Sequence, residues 1–186
     1  MEKPLHEVKL DRIQLLIDSG RLDASKPVTM KHLWDAGVKP IKHGLLVREA
    51  PRDRPGSFYC EGLTLVASKF TPQAIAQIEG LKGTPIALYT TPLSLSSLLK
   101  PKLFEKRRHL LPRMAAPTRE QDKLYWFSYR NRGYLNPEIQ GQVISKRDDL
   151  KEVFERAVIV APRPGLIEKI EQLEKVESEK IFGFDY

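Results

Sequence analysis

Helix starts and stops follow each other so closely along the first hundred residues that only short elements fit between them. Asp11 is placed to cap a short helix whose apolar positions are Ile13, Leu16 and Ile17. Gly20 can end it, because glycine accepts the left-handed conformation that a helix C-terminus often needs. Thr29 can cap a second helix and Gly37 can end that one. Thr71-Pro72 and Thr91-Pro92 each join a capping residue to a proline at the first helical position, where the missing N–H costs nothing. Ala74, Ile75 and Ile78 give the first of these helices an apolar face, and Leu95, Leu98 and Leu99 give one to the second. Apolar runs at 44–47, 62–68 and 85–89 read as strands, and 51–57 reads as a loop by its proline, glycine and charge. Strands alternating with short helices predict an α/β unit over residues 1–100.

The pattern changes at Pro101. Prolines recur at 112, 117 and 137, and apolar periodicity is lost until about residue 141. Residues 101–142 therefore read as an extended arm without a core of its own, ordered on a partner. Residues 143–186 read as an amphipathic helical hairpin. Ser145 is placed as an N-cap, Leu150, Val153, Phe154, Ala157 and Val158 form one stripe, Pro162 and Pro164 break the chain, and a second helix follows over about 166–176.

Composition bounds the chemistry. The 186 residues are 41% hydrophobic, enough for a modest core, yet no apolar run approaches the roughly 20 residues that span a membrane. Residues 1–7 have neither a secretory signal's apolar stretch nor a transit peptide's arginine-rich, acid-poor character. Cys60 is the single cysteine, so an intramolecular disulfide is impossible. The net charge of +7 is unevenly spread. Residues 1–100 carry 14 Lys and Arg against 10 Asp and Glu, residues 101–135 carry 9 against 3, and residues 136–186 carry 8 against 11. Most of the excess thus sits in less than a fifth of the chain, and a polyanion is its natural partner.

Catalytic and metal chemistry find little to use. His6, His32, His43 and His109 share no metal-like spacing with one another or with Cys60. Cys60, beside Phe58 and Tyr59, has no base to activate it and reads as a small buried hydrophobe. Asp18 and Asp23 fit turn or cap chemistry better than a carboxylate pair, and no phosphate-binding glycine loop occurs. The arm is different. Lys100, Lys102, Lys106, Arg107 and Arg108 form one basic cluster, Arg113 and Arg119 follow, and Lys123, Trp126, Tyr129, Arg130 and Arg132 interleave cations with aromatics. Cations neutralise phosphates and release counterions, and aromatic faces stack on unpaired bases, so the combination points to RNA. The competing readings are a solvated basic face and, for the aromatics, side chains that pin the segment to the globular unit.

Three segments carry a family resemblance. Residues 8–37 follow the words V-x-L-D-R-I-Q, I-D-x-G-R-L-D and P-V-T-M, ending on Leu33 and Gly37. Residues 70–79, from Phe70 to Glu79, follow a signature helix with a Ser or Thr start, and Arg130-Asn131-Arg132-Gly133-Tyr134-Leu135 follows an aromatic run. Together these resemble the C-terminal domain and extension of large-subunit ribosomal protein L-fifteen in its mitochondrial form. The resemblance implies an irregular superhelix of short strands and helices. It also implies a structural, non-catalytic role in the mitochondrial large ribosomal subunit, without cofactor or metal, bound to ribosomal RNA and neighbouring ribosomal proteins. Members of that family carry a long basic, glycine-rich N-terminal half. The present sequence starts where that half would end, so the expectation is that it is supplied by a separate chain, lost, or outside this sequence. An RNA-binding assembly or regulatory factor on the same domain is the rival reading, and a small α/β enzyme a remoter one.

Overall fold

The computed structural model describes residues 4–146 apart from 52, 54 and 55, together with Gln172 and Lys175. Its strands are β1 (His6–Lys9), β2 (Leu45–Arg48), β3 (Thr64–Ala67), β4 (Lys69–Phe70) and β5 (Thr84–Ala87). Its helices are α1 (Leu10–Asp18), α2 (Met30–Asp35), α3 (Pro72–Gly80), α4 (Pro92–Leu99), α5 (Pro101–Lys106), α6 (Glu120–Phe127) and α7 (Pro137–Lys146). The strands form two small parallel sheets, one ordered β1-β2-β4 and the other β3-β5. Every residue of β3 is buried, as expected of a short parallel strand covered on both faces. The α/β arrangement read from the sequence is the one observed.

Local signals explain most elements. Thr71 Oγ1 accepts a hydrogen bond from the Ala74 N–H, and Thr91 Oγ1 accepts one from the Ser94 N–H, both at 3.3 Å. The Thr29 N–H donates to His32 Nδ1 at 3.2 Å at the start of α2. Gly20 and Gly37 have φ of +70° and +107° and turn the chain out of α1 and α2. At Gly20 the next two amides, of Arg21 and Leu22, close on the Leu16 carbonyl.

Two expectations near the N-terminus need correction. Asp11 does not cap α1. The capping position is Lys9, which supplies no side-chain bond, and Asp11 lies in the first turn, where its charge still favours the helix dipole. The helix starts earlier because β1 runs directly into it. β1 itself escapes the pattern. Only Val8 of its four residues is buried, so an edge strand of mostly polar residues carries no alternation strong enough to see.

The third correction is larger. Residues 101–142 are not one extended arm. α5, α6 and α7 occupy much of the segment, and Met114, Trp126, Phe127, Tyr134, Leu135 and Ile139 are buried in the same hydrophobic core as Leu10, Leu65 and Ile78. The chain returns to the second sheet at Gly133. The Ala87 N–H donates to the Arg132 carbonyl at 2.8 Å and the Tyr134 N–H to the Ala87 carbonyl at 2.9 Å, a parallel bridge on the free edge of β5. A Cβ at 133 would collide with the Trp126 carbonyl, so only glycine allows this return. On the opposite edge Val28 makes the matching bridge to Leu65 of β3.

α7 begins with Asn136-Pro137, the same cap-plus-proline pairing as at α3 and α4. The Glu138 N–H donates to Asn136 Oδ1 at 3.0 Å. Ser145 therefore lies within a helix and not at the start of one. The expected hairpin stripe from Leu150 to Val158 and the second helix over 166–176 lie outside the described residues, apart from Gln172 and Lys175.

Candidate nucleic-acid interface

The basic cluster is built where α4 meets α5. Leu98 and Leu99 are buried at the end of α4, Lys100 follows them into solvent, and Pro101 starts α5 at once. α5 buries none of its six residues. It presents Lys102 and Lys106 to solvent and ends on Arg107 and on Arg108, whose φ of +53° turns the chain away from the helix axis. Cations at a helix C-terminus complement its partial negative charge. Arg113 is also exposed. Among the described residues no carboxylate comes within ion-pair distance of Lys102, Lys106, Arg107, Arg108 or Arg113. Leu110 is 95% exposed between them, and the buried Met114 ties the segment back to the core.

The second half of the expected site is placed differently. Trp126 is 5% exposed. Its ring meets Tyr89 and Tyr125 edge-on, with centroids 4.8 and 5.0 Å apart, and Lys69 Nζ sits 5.6 Å from its centre. A ring enclosed in this way has no face to offer a base, so the stacking role expected of Trp126 is withdrawn. Arg132 is also committed. Its Nε and Nη2 donate to the two carboxylate oxygens of Glu79, the Nη2 bond at 2.9 Å, and its Nη1 donates to the Tyr129 carbonyl at 2.6 Å. The Glu79 carboxylate holds the guanidinium charged beyond its ordinary range. Arg132 also covers one face of Tyr129, 4.0 Å from the ring centre. Tyr129 and Arg130 are exposed on the same turn, Arg119 is exposed before α6, and Lys123 is half-buried on that helix. The expected residues thus divide. Lys100 to Arg113 form a cluster in solvent, whereas Trp126 and Arg132 hold the segment to the fold.

One further cation joins the cluster in space. Lys39 Nζ lies 5.1 Å from the centre of the Trp34 ring and Lys100 Nζ lies 5.3 Å from it. Lys39 and Lys100 are far apart in sequence, and the packing of α2 against α4 brings them to one indole. No spacing rule could have paired them. The only available signal was a tryptophan on a short helix close to a lysine.

The other candidates have structural partners. Asp18 accepts from the Tyr59 hydroxyl at 2.8 Å and from the Gln14 amide at 2.9 Å, and Asp23 accepts from the Ser25 backbone and hydroxyl. The buried Gln14 in turn accepts from the Tyr59 and Cys60 N–H groups at 3.2 and 3.0 Å, which ties the loop before β3 to α1. Burial pushes the Cys60 thiol up from its ordinary pKa, the opposite of what a nucleophile needs. Among the described residues no group of three or more His, Cys, Asp or Glu could hold a metal ion, and no helix is long and apolar enough to cross a membrane.

Comparison with known proteins places the block. Residues 7–86, from β1 into β5, match the model of the family of ribosomal proteins 50S-L15 and 50S-L18e and their 60S counterpart. The chain is 38% identical over 136 residues to the large ribosomal subunit protein uL15m of Schizosaccharomyces pombe, covering 73% of this chain and 50% of that one. It is 31% identical over 132 residues to the protein of the same name from Danio rerio, covering 69% and 43%. It is 26% identical over 157 residues to that from Neurospora crassa, covering 73% and 49%. The chain spans about half the length of the curated relatives it matches. With the matched segment coinciding with the two-sheet block, and the similarity to these relatives running past it, the chain belongs to the family of ribosomal proteins L15 and L18e.

Proposed function

We propose that this chain is a structural, non-catalytic component of the mitochondrial large ribosomal subunit, where it binds ribosomal RNA and neighbouring ribosomal proteins. The observation that carries the reading is the row of cations from Lys102 to Arg113. It stands in solvent, on and just after a helix that buries none of its residues, with no carboxylate within ion-pair distance among the described residues. Five cations against the single carboxylate of Glu105 leave a local positive excess, and a polyanion relieves the repulsion. Three relatives, each named large ribosomal subunit protein uL15m, support the particle and, through the suffix of that name, the compartment.

In this reading the two-sheet block docks as a rigid unit and α5 with the residues after it lies along the RNA backbone. Tyr129 and Arg130 lie at the end of the contact. Trp126 and Arg132 act only by fixing the chain that carries them. Replacing Arg107, Arg108 and Arg113 together by alanine weakens RNA binding. It also lowers the slope of log affinity against log salt by roughly 0.7 to 0.9 for each phosphate no longer neutralised. An unchanged slope would show that these side chains touch no phosphate. In cells, tagged protein should co-sediment with large subunits of the mitochondrial ribosome through a high-salt gradient. Its release into the free fractions would instead favour an assembly or regulatory factor.

A further inference from the structure

We propose that Trp34, Lys39 and Lys100 form a second contact for the phosphate backbone of RNA, on the globular block itself and continuous with the cations of α5. The inference rests on the RNA-binding reading above and adds a place at which the block touches its ligand.

Two ammonium groups from separate elements converge on one indole, at 5.1 and 5.3 Å from its centre, so they lie within about 10 Å of each other. A cation over an exposed aromatic face is weakly favourable, which accounts for one lysine. The second adds a like charge beside the first. Asp35, next to Trp34 in sequence, is exposed and makes no ion pair with either within the described residues. An anion between the two ammonium groups completes the arrangement.

Both lysines stand on fixed backbone. Gly37, in the left-handed region, turns the chain back after α2, and Val38 and Ile41 are buried on either side of Lys39. Lys100 follows the buried pair Leu98 and Leu99, and its N–H closes the last turn of α4 on the Ser96 carbonyl at 2.9 Å. Trp34 itself is partly buried and packs against the core. The site therefore needs little ordering when it binds. Two ammonium groups already stand over the Trp34 ring, and their charge favours a phosphate over a neutral base. The ligand chemistry is the phosphate backbone, duplex or single-stranded, read without regard to sequence.

The test uses the full chain, with fluorescence anisotropy on a random-sequence RNA duplex and on a single strand of the same length, across a salt series. The paired change Lys39→Gln and Lys100→Gln keeps the aliphatic stems over the indole and removes both charges. It should lower the log–log salt slope by about 1.4 to 1.8, the sum for two phosphate contacts, on both RNAs. The pair Lys39→Arg and Lys100→Arg should restore the slope. Thermal melting of each variant checks that the fold is intact. If the wild-type chain binds with a salt-dependent affinity and the glutamine pair leaves that slope unchanged, the two lysines serve only Trp34 and the proposal fails, while the RNA reading stands. A loss confined to the single strand would mean that bases are read at Trp34 and would overturn the backbone assignment. A wild-type chain without salt-dependent RNA binding would remove the RNA reading itself, and this contact with it.

Discussion

Residues 101–113 and residues 126–139 have similar ingredients, cations set among large apolar side chains, and the fold uses them in opposite ways. In the first segment α5 buries nothing, Leu103, Leu110 and Leu111 are exposed, and the cations have no acid partners among the described residues. In the second, Trp126, Phe127, Tyr134, Leu135 and Ile139 enter the core, and Arg132 is clamped by Glu79. The difference lies in what each segment meets. β5 has a free edge, and the chain at Gly133 approaches closely enough to bond with it. α5, by contrast, places none of its six residues in the core. Cations beside aromatics therefore do not distinguish a ligand surface from a structural clamp. Access to an unsatisfied backbone edge does.

The largest effect that would separate the two segments is on stability. Trp126→Ala should cost about 3 to 5 kcal/mol in urea denaturation, because it empties a packed site that three other side chains line. Leu110→Ala should stay within about 0.5 kcal/mol, since that side chain touches little. Similar losses from both would erase the contrast.

A smaller effect is expected at Arg132. Replacement by alanine should cost about 1 kcal/mol, the scale of a partly exposed ion pair, and leave the salt dependence of RNA binding unchanged. Arg132→Lys should recover only part of the loss, because an ammonium cannot make the forked contact to Glu79. A flatter salt slope with unchanged stability would return Arg132 to the RNA-contacting residues.

The smallest effect appears only at alkaline pH. Burial raises the Tyr134 phenol above its ordinary pKa of 10.0. The folded state thus keeps this proton after the unfolded chain begins to lose it, and a raised pKa means the stabilisation is complete below that value. It is lost as pH rises from about 10 through the folded pKa. Tyr134→Phe should flatten the alkaline limb of a stability–pH curve above pH 10 and leave its shape near neutrality unchanged. An equally steep limb in the variant would assign the alkaline loss to other groups.

The block at 1–100 was largely legible because its signals are local. Thr71-Pro72 and Thr91-Pro92 mark their helices through a hydroxyl three residues from its partner, and the continuous apolar run of β3 needs no knowledge of its neighbours. β1 was not legible, since a strand with one buried residue is made by the hydrogen bonds of β2 and not by its own pattern. Asn136-Pro137 repeats the helix-start signal of α3 and α4, so the beginning of α7 was available to a local reading. The burial of Trp126 was not, because it depends on a contact with Tyr89 across a long stretch of chain.

The candidate site divides along the same line. Lys102, Lys106, Arg107 and Arg108 are neighbours in sequence, and their charge density could be read directly. Lys39 and Lys100 become neighbours only through the packing of α2 on α4. The chain's own order of residues determined its short elements, its α/β class and its region of excess positive charge, because caps, apolar runs and charge density act over a few residues. Tertiary structure decided which cations face solvent, which aromatic rings are enclosed and which distant lysines share an indole. Those outcomes depend on strand edges and helix faces that exist only once remote segments have met.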